Sequence, residues 1–157
     1  MDYANLPWKG PFPLTSFDWT EAPLKSGVYA FTEYDTALEP NPRTPAPEHP
    51  DYERLIEELR QRPCVLYVGR AKTLRDRMRG YRFKPYLEIV RRPIGSPPRH
   101  SADRHKGRAL LHAQQFFNGP IYVWWAEDVN YVKTEGELIR ELNPVLNTLG
   151  IQLLEPD

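Results

Sequence analysis

The sequence predicts a small α+β domain in which helices flank a three-stranded, mainly antiparallel sheet. Three segments have the length and the aromatic or β-branched content of strands, and segments with apolar residues at helical spacing alternate with them. A chain of 157 residues that is 40% hydrophobic can bury one core. We therefore expect a single domain that covers residues 1–157.

The three expected strands lie at 26–34, 64–69 and 120–128. The first and the third mix aromatic with β-branched residues, which suit a pleated, half-buried surface. The second, CVLYVG, is apolar throughout, and a continuous apolar run of this length predicts a central strand that is covered on both faces.

Four helices are expected, at 51–62, 70–80, 105–117 and 130–142. Gly80 suits a C-terminal cap of the second helix, and Asn143 and Pro144 end the last one. Five prolines in 37–50 exclude a helix interior or a central strand there, and the prolines and arginines of 82–104 predict a long basic loop.

Charge is distributed unevenly along the chain. The formal net charge is zero, but the segment from Arg70 to Arg108 contains 13 basic and three acidic residues, a net +10 that the rest of the chain balances. Such a split can present one strongly positive face to a polyanion. It indicates a nucleic-acid partner, and the alternative is a solvated basic surface.

Composition argues against several classes of protein. The apolar runs are far shorter than the ~20 residues that span a bilayer, and the N-terminus has no basic region before an apolar stretch. We therefore expect a cytoplasmic protein with no membrane partner. The single cysteine, Cys64, cannot form an internal disulfide and is expected to pack in the core. The four histidines form no zinc motif, although His105 in the basic segment could contact a phosphate or act as a base.

Three polar residues on the expected elements have more than one interpretation. Tyr29 and Tyr67 lie in the first two strands, where a tyrosine most often packs in the core or at an interface. Arg77 flanks the apolar face of the 70–80 helix, where it either meets a phosphate or is one surface arginine among many.

The last helix carries an acidic residue on its apolar face. Glu135, Leu138, Ile139 and Leu142 are spaced i, i+3, i+4 and i+7, so Glu135 points towards the core. An ionised carboxylate there needs a cation or several hydrogen-bond donors. A metal ion and a structural arginine satisfy it equally well.

Two short tripeptides are followed by a regular set of residues further along the chain. They are Gly27-Val28-Tyr29 and Tyr67-Val68-Gly69, then Arg70-Ala71-Lys72, Leu74, Arg77 and Tyr81, and finally Glu135, Pro144 and Asn147. This pattern resembles the GIY-YIG nucleases, in particular the nuclease subunit of bacterial excision repair. The resemblance covers 26–34, 64–81 and about 120–148, with insertions at about 35–63 and 82–104. The long insertion between the tyrosines is similar to that of some GIY-YIG restriction endonucleases.

The resemblance implies a metal-dependent endonuclease that hydrolyses phosphodiester bonds in DNA. The catalytic set that it implies is Tyr29, Tyr67, Arg70, Arg77 and Tyr81. Glu135 is expected to hold one Mg²⁺ or Mn²⁺, and Arg77, helped by Arg70, to neutralise developing charge. Tyr29 or Tyr67 orients or deprotonates the attacking water, and which of the two acts stays open.

The expected partner is DNA, with RNA as the alternative. Residues expected to bind it are Lys72, Arg75, Arg104, His105, Lys106, Arg108 and Asn147. Specificity is expected to come from the insertions, from a homodimer or from a partner protein. Two other functions stay open: a catalytically silent nucleic-acid-binding module of the same fold, and an interaction protein that uses the PxxP spacing at Pro42 to Pro45.

Overall fold

The computed structural model of the chain describes residues 3–14, 16–33, 38–41, 65–82, 121–144 and 147. These residues form four strands, two α-helices and two short 3-10 helices. The strands are β1 (Lys9–Pro13), β2 (Gly27–Glu33), β3 (Val65–Ala71) and β4 (Ile121–Glu127). The helices are α1 (Leu74–Arg82) and α2 (Tyr131–Leu142), and the 3-10 helices are Tyr3–Asn5 and Trp19–Glu21.

The four strands form one antiparallel sheet in the order β1-β4-β2-β3. The expected combination of helices with an antiparallel sheet is confirmed, and β2, β3 and β4 lie within one or two residues of the expected strands. The described part of the sheet has four strands rather than the expected three, because β1 was not predicted.

β1 was missed because its sequence, KGPFP, contains one glycine and two prolines. Among the described strands it pairs with β4 alone, and the pairing is irregular between Lys9 and Phe12. Phe12 stacks on Trp125 of β4, with 4.6 Å between the ring centroids. The packing of these two rings therefore stabilises β1, although the strand propensity of its own residues is low.

Helices cover both faces of the sheet. Every residue of β2 is buried, and its side chains alternate between two apolar clusters. Tyr29 and Phe31 belong to the cluster under α1, and Val28 and Ala30 belong to the cluster under α2. The helix residues in these clusters are Leu74, Met78 and Tyr81 from α1 and Leu138 and Leu142 from α2. Burying each of the leucines contributes about 1.5–3 kcal/mol of hydrophobic stabilisation.

β3 lies at the edge of the described sheet, so the described residues do not show the central position expected for the strand at 64–69. Both faces of β3 are covered, which explains its continuous apolar run. Two asparagine side chains take the place of a neighbouring strand. Asn41 accepts a hydrogen bond from Val65 N–H (3.2 Å) and donates one to Val65 C=O (2.7 Å). Asn147 does the same for Val68, at 2.8 and 2.9 Å.

The two helices end differently from one another. α1 continues through Gly80 to Arg82, so the prediction that Gly80 caps it was wrong; the helix runs on far enough to bury Tyr81. α2 ends as predicted at Asn143, which adopts the left-handed conformation (φ 51°) and donates its N–H to Ile139 C=O at 3.1 Å.

The helices expected at 51–62 and 105–117, and nearly all of both insertions, lie outside the described residues. Neither α1 nor α2, the two α-helices of the described part of the chain, has the length and apolar content needed to cross a membrane.

Candidate active site

Three tyrosines from three elements meet beneath α1. Tyr29 comes from β2, Tyr67 from β3 and Tyr81 from the last turn of α1, and all three are buried. The Tyr29 and Tyr81 hydroxyls are hydrogen bonded at 2.9 Å, and the Tyr67 hydroxyl is also hydrogen bonded to Tyr29. We call these residues the tyrosine cluster.

The glycines of the two tripeptides make room for this cluster. Gly69 pairs with Tyr29 across β2 and β3, and a Cβ at Gly69 would overlap the Tyr29 ring and hydroxyl. A Cβ at Gly27 would overlap the Ala126 carbonyl oxygen and lie 2.6 Å from Leu74 Cδ1. The glycines are therefore required by close packing of neighbouring strands and α1.

Burial keeps the tyrosine cluster neutral. Desolvation raises the pKa of Tyr29, and the positive charge of Arg77 and the hydrogen bonds from its two neighbours oppose this only in part. Desolvation likewise raises the pKa of Tyr67 and of Tyr81 well above the usual value of 10.0. At neutral pH these hydroxyls donate and accept hydrogen bonds, and none of them is a strong base.

Arg77 lies beside the cluster on one flank of α1. Its side chain is half-buried, and its charge lowers the pKa of each of the three tyrosines against the larger effect of burial. Arg77 thus lies within electrostatic reach of Tyr67, on the flank of α1 where the sequence placed it. A half-buried guanidinium offers planar, permanently charged donors that suit a phosphate.

Glu135 approaches the same region from α2, on the other side of the sheet. Its side chain is 21% exposed, and Glu135 Oε1 lies 3.7 Å from Nη1 of Arg70. Arg70 follows Gly69 in β3 and therefore points to the α2 face, where it is 49% exposed. The negative charge of Glu135 raises the pKa of Tyr29 and of Tyr67. An arginine, one of the two partners expected for this carboxylate, therefore lies beside it.

The donors available for a metal ion are few. No group of three or more histidine, cysteine, aspartate or glutamate side chains that could hold a metal occurs among the described residues. Mg²⁺ needs less than that, because it keeps several waters and is commonly held by one or two carboxylates together with substrate phosphates. A partly exposed carboxylate such as Glu135 fits that mode of binding.

Comparison of the chain with protein-family models, with curated proteins and with solved structures gave no match. Function is therefore inferred from the geometry of the site.

The expected nucleic-acid-binding residues have different positions. Lys72 is exposed just before α1. Arg75 Nε donates to Ala22 C=O at 2.8 Å, and Asn147 is hydrogen bonded to Val68, so both side chains hold the fold together. Arg104, His105, Lys106 and Arg108 lie outside the described residues.

Asn41 is a structurally important residue that was not predicted from the sequence. It supports the start of β3, and its Nδ2 also donates to Asn143 C=O at 3.0 Å, which ties β3 to the end of α2. Asn41 lies in the proline-rich connector, and both of its partners are distant in sequence. No local pattern could reveal it.

Proposed function

We propose that the protein is a metal-dependent endonuclease of the GIY-YIG type that hydrolyses phosphodiester bonds in DNA. The observation that carries the proposal is that the charges of Arg77, beneath α1, and of Glu135, from the opposite face of the sheet, both act on Tyr29 and Tyr67, while Arg70 of β3 pairs with Glu135 at 3.7 Å. A phosphodiesterase needs donors for a water, a cation for the transition state and an anionic ligand for a metal ion. These residues supply all three.

Glu135 would hold the metal ion, and Arg77 would contact the scissile phosphate. When bound, Mg²⁺ or Mn²⁺ supplies Lewis-acid polarisation of the phosphate and stabilises the leaving oxygen. Arg77 neutralises the charge that builds up on the phosphate, and its half-burial strengthens that interaction relative to water. Arg70 holds the Glu135 carboxylate in place, and its exposure allows the guanidinium to turn towards a bound phosphate.

The tyrosine cluster would orient the attacking water. Tyr29 has no exposed surface, whereas Tyr67 and Tyr81 keep 3% and 4%. Tyr29 therefore acts as the central member that fixes its neighbours, and one of those neighbours contacts the water. Because burial raises the pKa of each hydroxyl, the cluster positions the water and another group removes its proton.

The decisive experiment compares cleavage of plasmid and single-stranded DNA in Mg²⁺, Mn²⁺ or EDTA. We expect strand breaks with either metal and none in EDTA. Glu135→Gln and Arg77→Ala should each lower the cleavage rate by about 10²–10³, as loss of one transition-state contact does. The matched control is Glu137→Gln, because Glu137 lies on the same helix, is 24% exposed and pairs with Lys133 at 3.9 Å.

Two outcomes would contradict the proposal. Wild-type protein that binds DNA but yields no breaks with either metal is a catalytically silent binding module. Equal loss of cleavage in Glu137→Gln and Glu135→Gln would mean that α2 is merely sensitive to charge removal. Nicks and double-strand breaks, scored on the same plasmid, distinguish a structure-directed activity from a sequence-specific one.

A further inference from the structure

A second cationic contact lies on the opposite side of α1 from Arg77. The Arg79 guanidinium lies over the indole ring of Trp19, 5.5 Å from its centroid. A cation at this distance from an indole face is attracted by the ring quadrupole. Arg79 is exposed, and Trp19 is half-buried against the apolar cluster under α1. The resemblance to the GIY-YIG family covers neither the Trp19 segment nor this contact.

Trp19 is held firmly in its place. The 3-10 helix that carries it begins at Asp18, whose carboxylate accepts from Thr20 N–H at 3.0 Å and from the Thr20 hydroxyl at 2.6 Å. Those hydrogen bonds lower the pKa of Asp18, so the carboxylate is ionised at neutral pH. Arg75 then ties the segment to α1 through Ala22 C=O and, by its own N–H, through Pro23 C=O at 3.0 Å.

Arg77 and Arg79 point in nearly opposite directions. Residues two positions apart in an α-helix, such as these, are separated by about 200° around the helix axis. A nucleic-acid backbone that contacts both guanidinium groups must therefore cross the outer face of α1. That face is about 10–12 Å wide. Asp76 and Arg79 are the exposed charged residues of α1 there, and Lys72 is exposed just before the helix.

We propose that Arg79, positioned by Trp19, binds a backbone phosphate other than the scissile phosphate at Arg77. The proposal rests on the proposed function, since it takes DNA to be the substrate. Arg79 is the binding residue, because its guanidinium is exposed and permanently charged. Trp19 is a positioning residue, since its ring holds the Arg79 guanidinium 5.5 Å from the ring centroid and thereby lowers the entropy cost of the contact.

The test is the salt dependence of binding to a labelled DNA duplex in EDTA, where no cleavage can occur. Each phosphate contact adds about 0.9 to the slope of log K against log salt. We expect the slope for Arg79→Ala to be smaller than that for wild type by about 0.9, and the slope for Arg79→Lys to be unchanged. The matched control is Lys133→Ala, which removes an exposed cation from α2; its slope should equal that of wild type.

Trp19 is tested by its coupling to Arg79. Trp19→Leu should weaken binding, and Trp19→Phe, which keeps an aromatic ring, should restore most of the affinity. In an Arg79→Ala background Trp19→Leu should have no further effect on affinity. A residue that only supports the fold would weaken binding in both backgrounds.

The outcomes separate this inference from the proposed function. If Arg79→Ala has the same slope of log K against log salt as wild type and cleaves DNA normally in Mg²⁺, the Arg79 contact is wrong and the proposed function stands. A reduced slope in protein that never cleaves DNA supports the contact and overturns the endonuclease. Wild-type protein that does not bind the duplex overturns both.

Discussion

Tyr29 is the residue on which the geometry of the candidate site depends most directly. It is fully buried, its hydroxyl is hydrogen bonded to both other members of the tyrosine cluster, and its ring lies against Gly69. Displacement of this one ring would therefore move two other hydroxyls. A neutral, closely packed cluster can hold a water in a fixed position because it needs no rearrangement during the reaction.

Substitution of Gly69 tests this dependence. In Gly69→Ala the added Cβ overlaps Tyr29, which cannot retreat through the packed cluster, so we expect the free energy of unfolding to fall by about 1–3 kcal/mol. Urea denaturation measures it. The control is Gly136→Ala, because a Cβ there meets nothing within 4 Å and an alanine in α2 should stabilise by about 0.5–1 kcal/mol. Equal effects of the two substitutions would contradict the close contact.

Much of the site could be predicted from sequence, because its residues lie in recognisable local patterns. The two tripeptides locate Tyr29 and Tyr67, and helical spacing locates Arg77 and Glu135. The ion pair between Arg70 and Glu135 could not be predicted from the sequence, because it depends on how β3 and α2, which are distant in sequence, pack together. The sequence pattern left a metal ion and an arginine as equal partners, and only the fold brings the arginine to this carboxylate.

At the scale of elements, the strands show which signals a sequence contains. The three strands rich in aromatic and β-branched residues were predicted within one or two residues, whereas β1 was missed because its stability comes from the contact of Phe12 with Trp125. The edge position of β3 was also missed. A continuous apolar run predicts that both faces of a strand are covered. It does not predict whether the backbone N–H and C=O groups of that strand pair with another strand or with side chains.

The outer edge of β3 is protected by asparagine amides. An exposed edge strand would present unpaired N–H and C=O groups to other chains, and the amides of Asn41 and Asn147 occupy those of Val65 and Val68. At the other edge, the two prolines of β1 limit the donors available for pairing. Both edges of the described sheet therefore discourage addition of a further strand.

Removal of these amides should destabilise β3 locally and the protein globally. Each amide makes at least two hydrogen bonds, worth about 0.5–1.5 kcal/mol apiece, so Asn41→Ala and Asn147→Ala should each cost about 1–3 kcal/mol. Hydrogen exchange should accelerate at the Val65 amide in the first variant and at the Val68 amide in the second. Asn130→Ala is the control, since the Asn130 side chain makes no capping hydrogen bond. Unchanged exchange at both valines would contradict the edge protection.

At the scale of the whole molecule, the fold brings the two helices to opposite faces of one strand. α1 supplies Arg77 and Tyr81 on one face of β3, and α2 supplies Glu135 on the other. The candidate site therefore forms only when the sheet and both helices are assembled. Half of the net +10 of 70–108 belongs to residues outside the described part, and its role in DNA binding stays a prediction.

Because the tyrosine cluster lies in the core, its protonation should be linked to global stability. Burial raises the pKa of each member in the folded state, whereas in the unfolded chain each ionises near its usual value of 10.0. The stabilisation is therefore fully present below pH ~10 and is lost as the pH rises towards the folded pKa values, since the unfolded chain then binds fewer protons. Each tyrosine contributes about 1.4 kcal/mol per pH unit, so the cluster contributes about 4 kcal/mol per pH unit.

Tyr81→Phe isolates the contribution of one member of the cluster. It removes one titrating hydroxyl, so above pH ~10 its free energy of unfolding should fall less steeply than that of wild type, by about 1.4 kcal/mol per pH unit. Below that pH the two curves should run parallel, with the variant lower by about 0.5–1.5 kcal/mol for the lost hydrogen bond to Tyr29. Urea denaturation at successive pH values, followed by phenolate absorbance, measures both quantities. Parallel curves over the whole alkaline range would mean that Tyr81 ionises as readily in the folded protein as in the unfolded chain, and that the cluster is open to solvent.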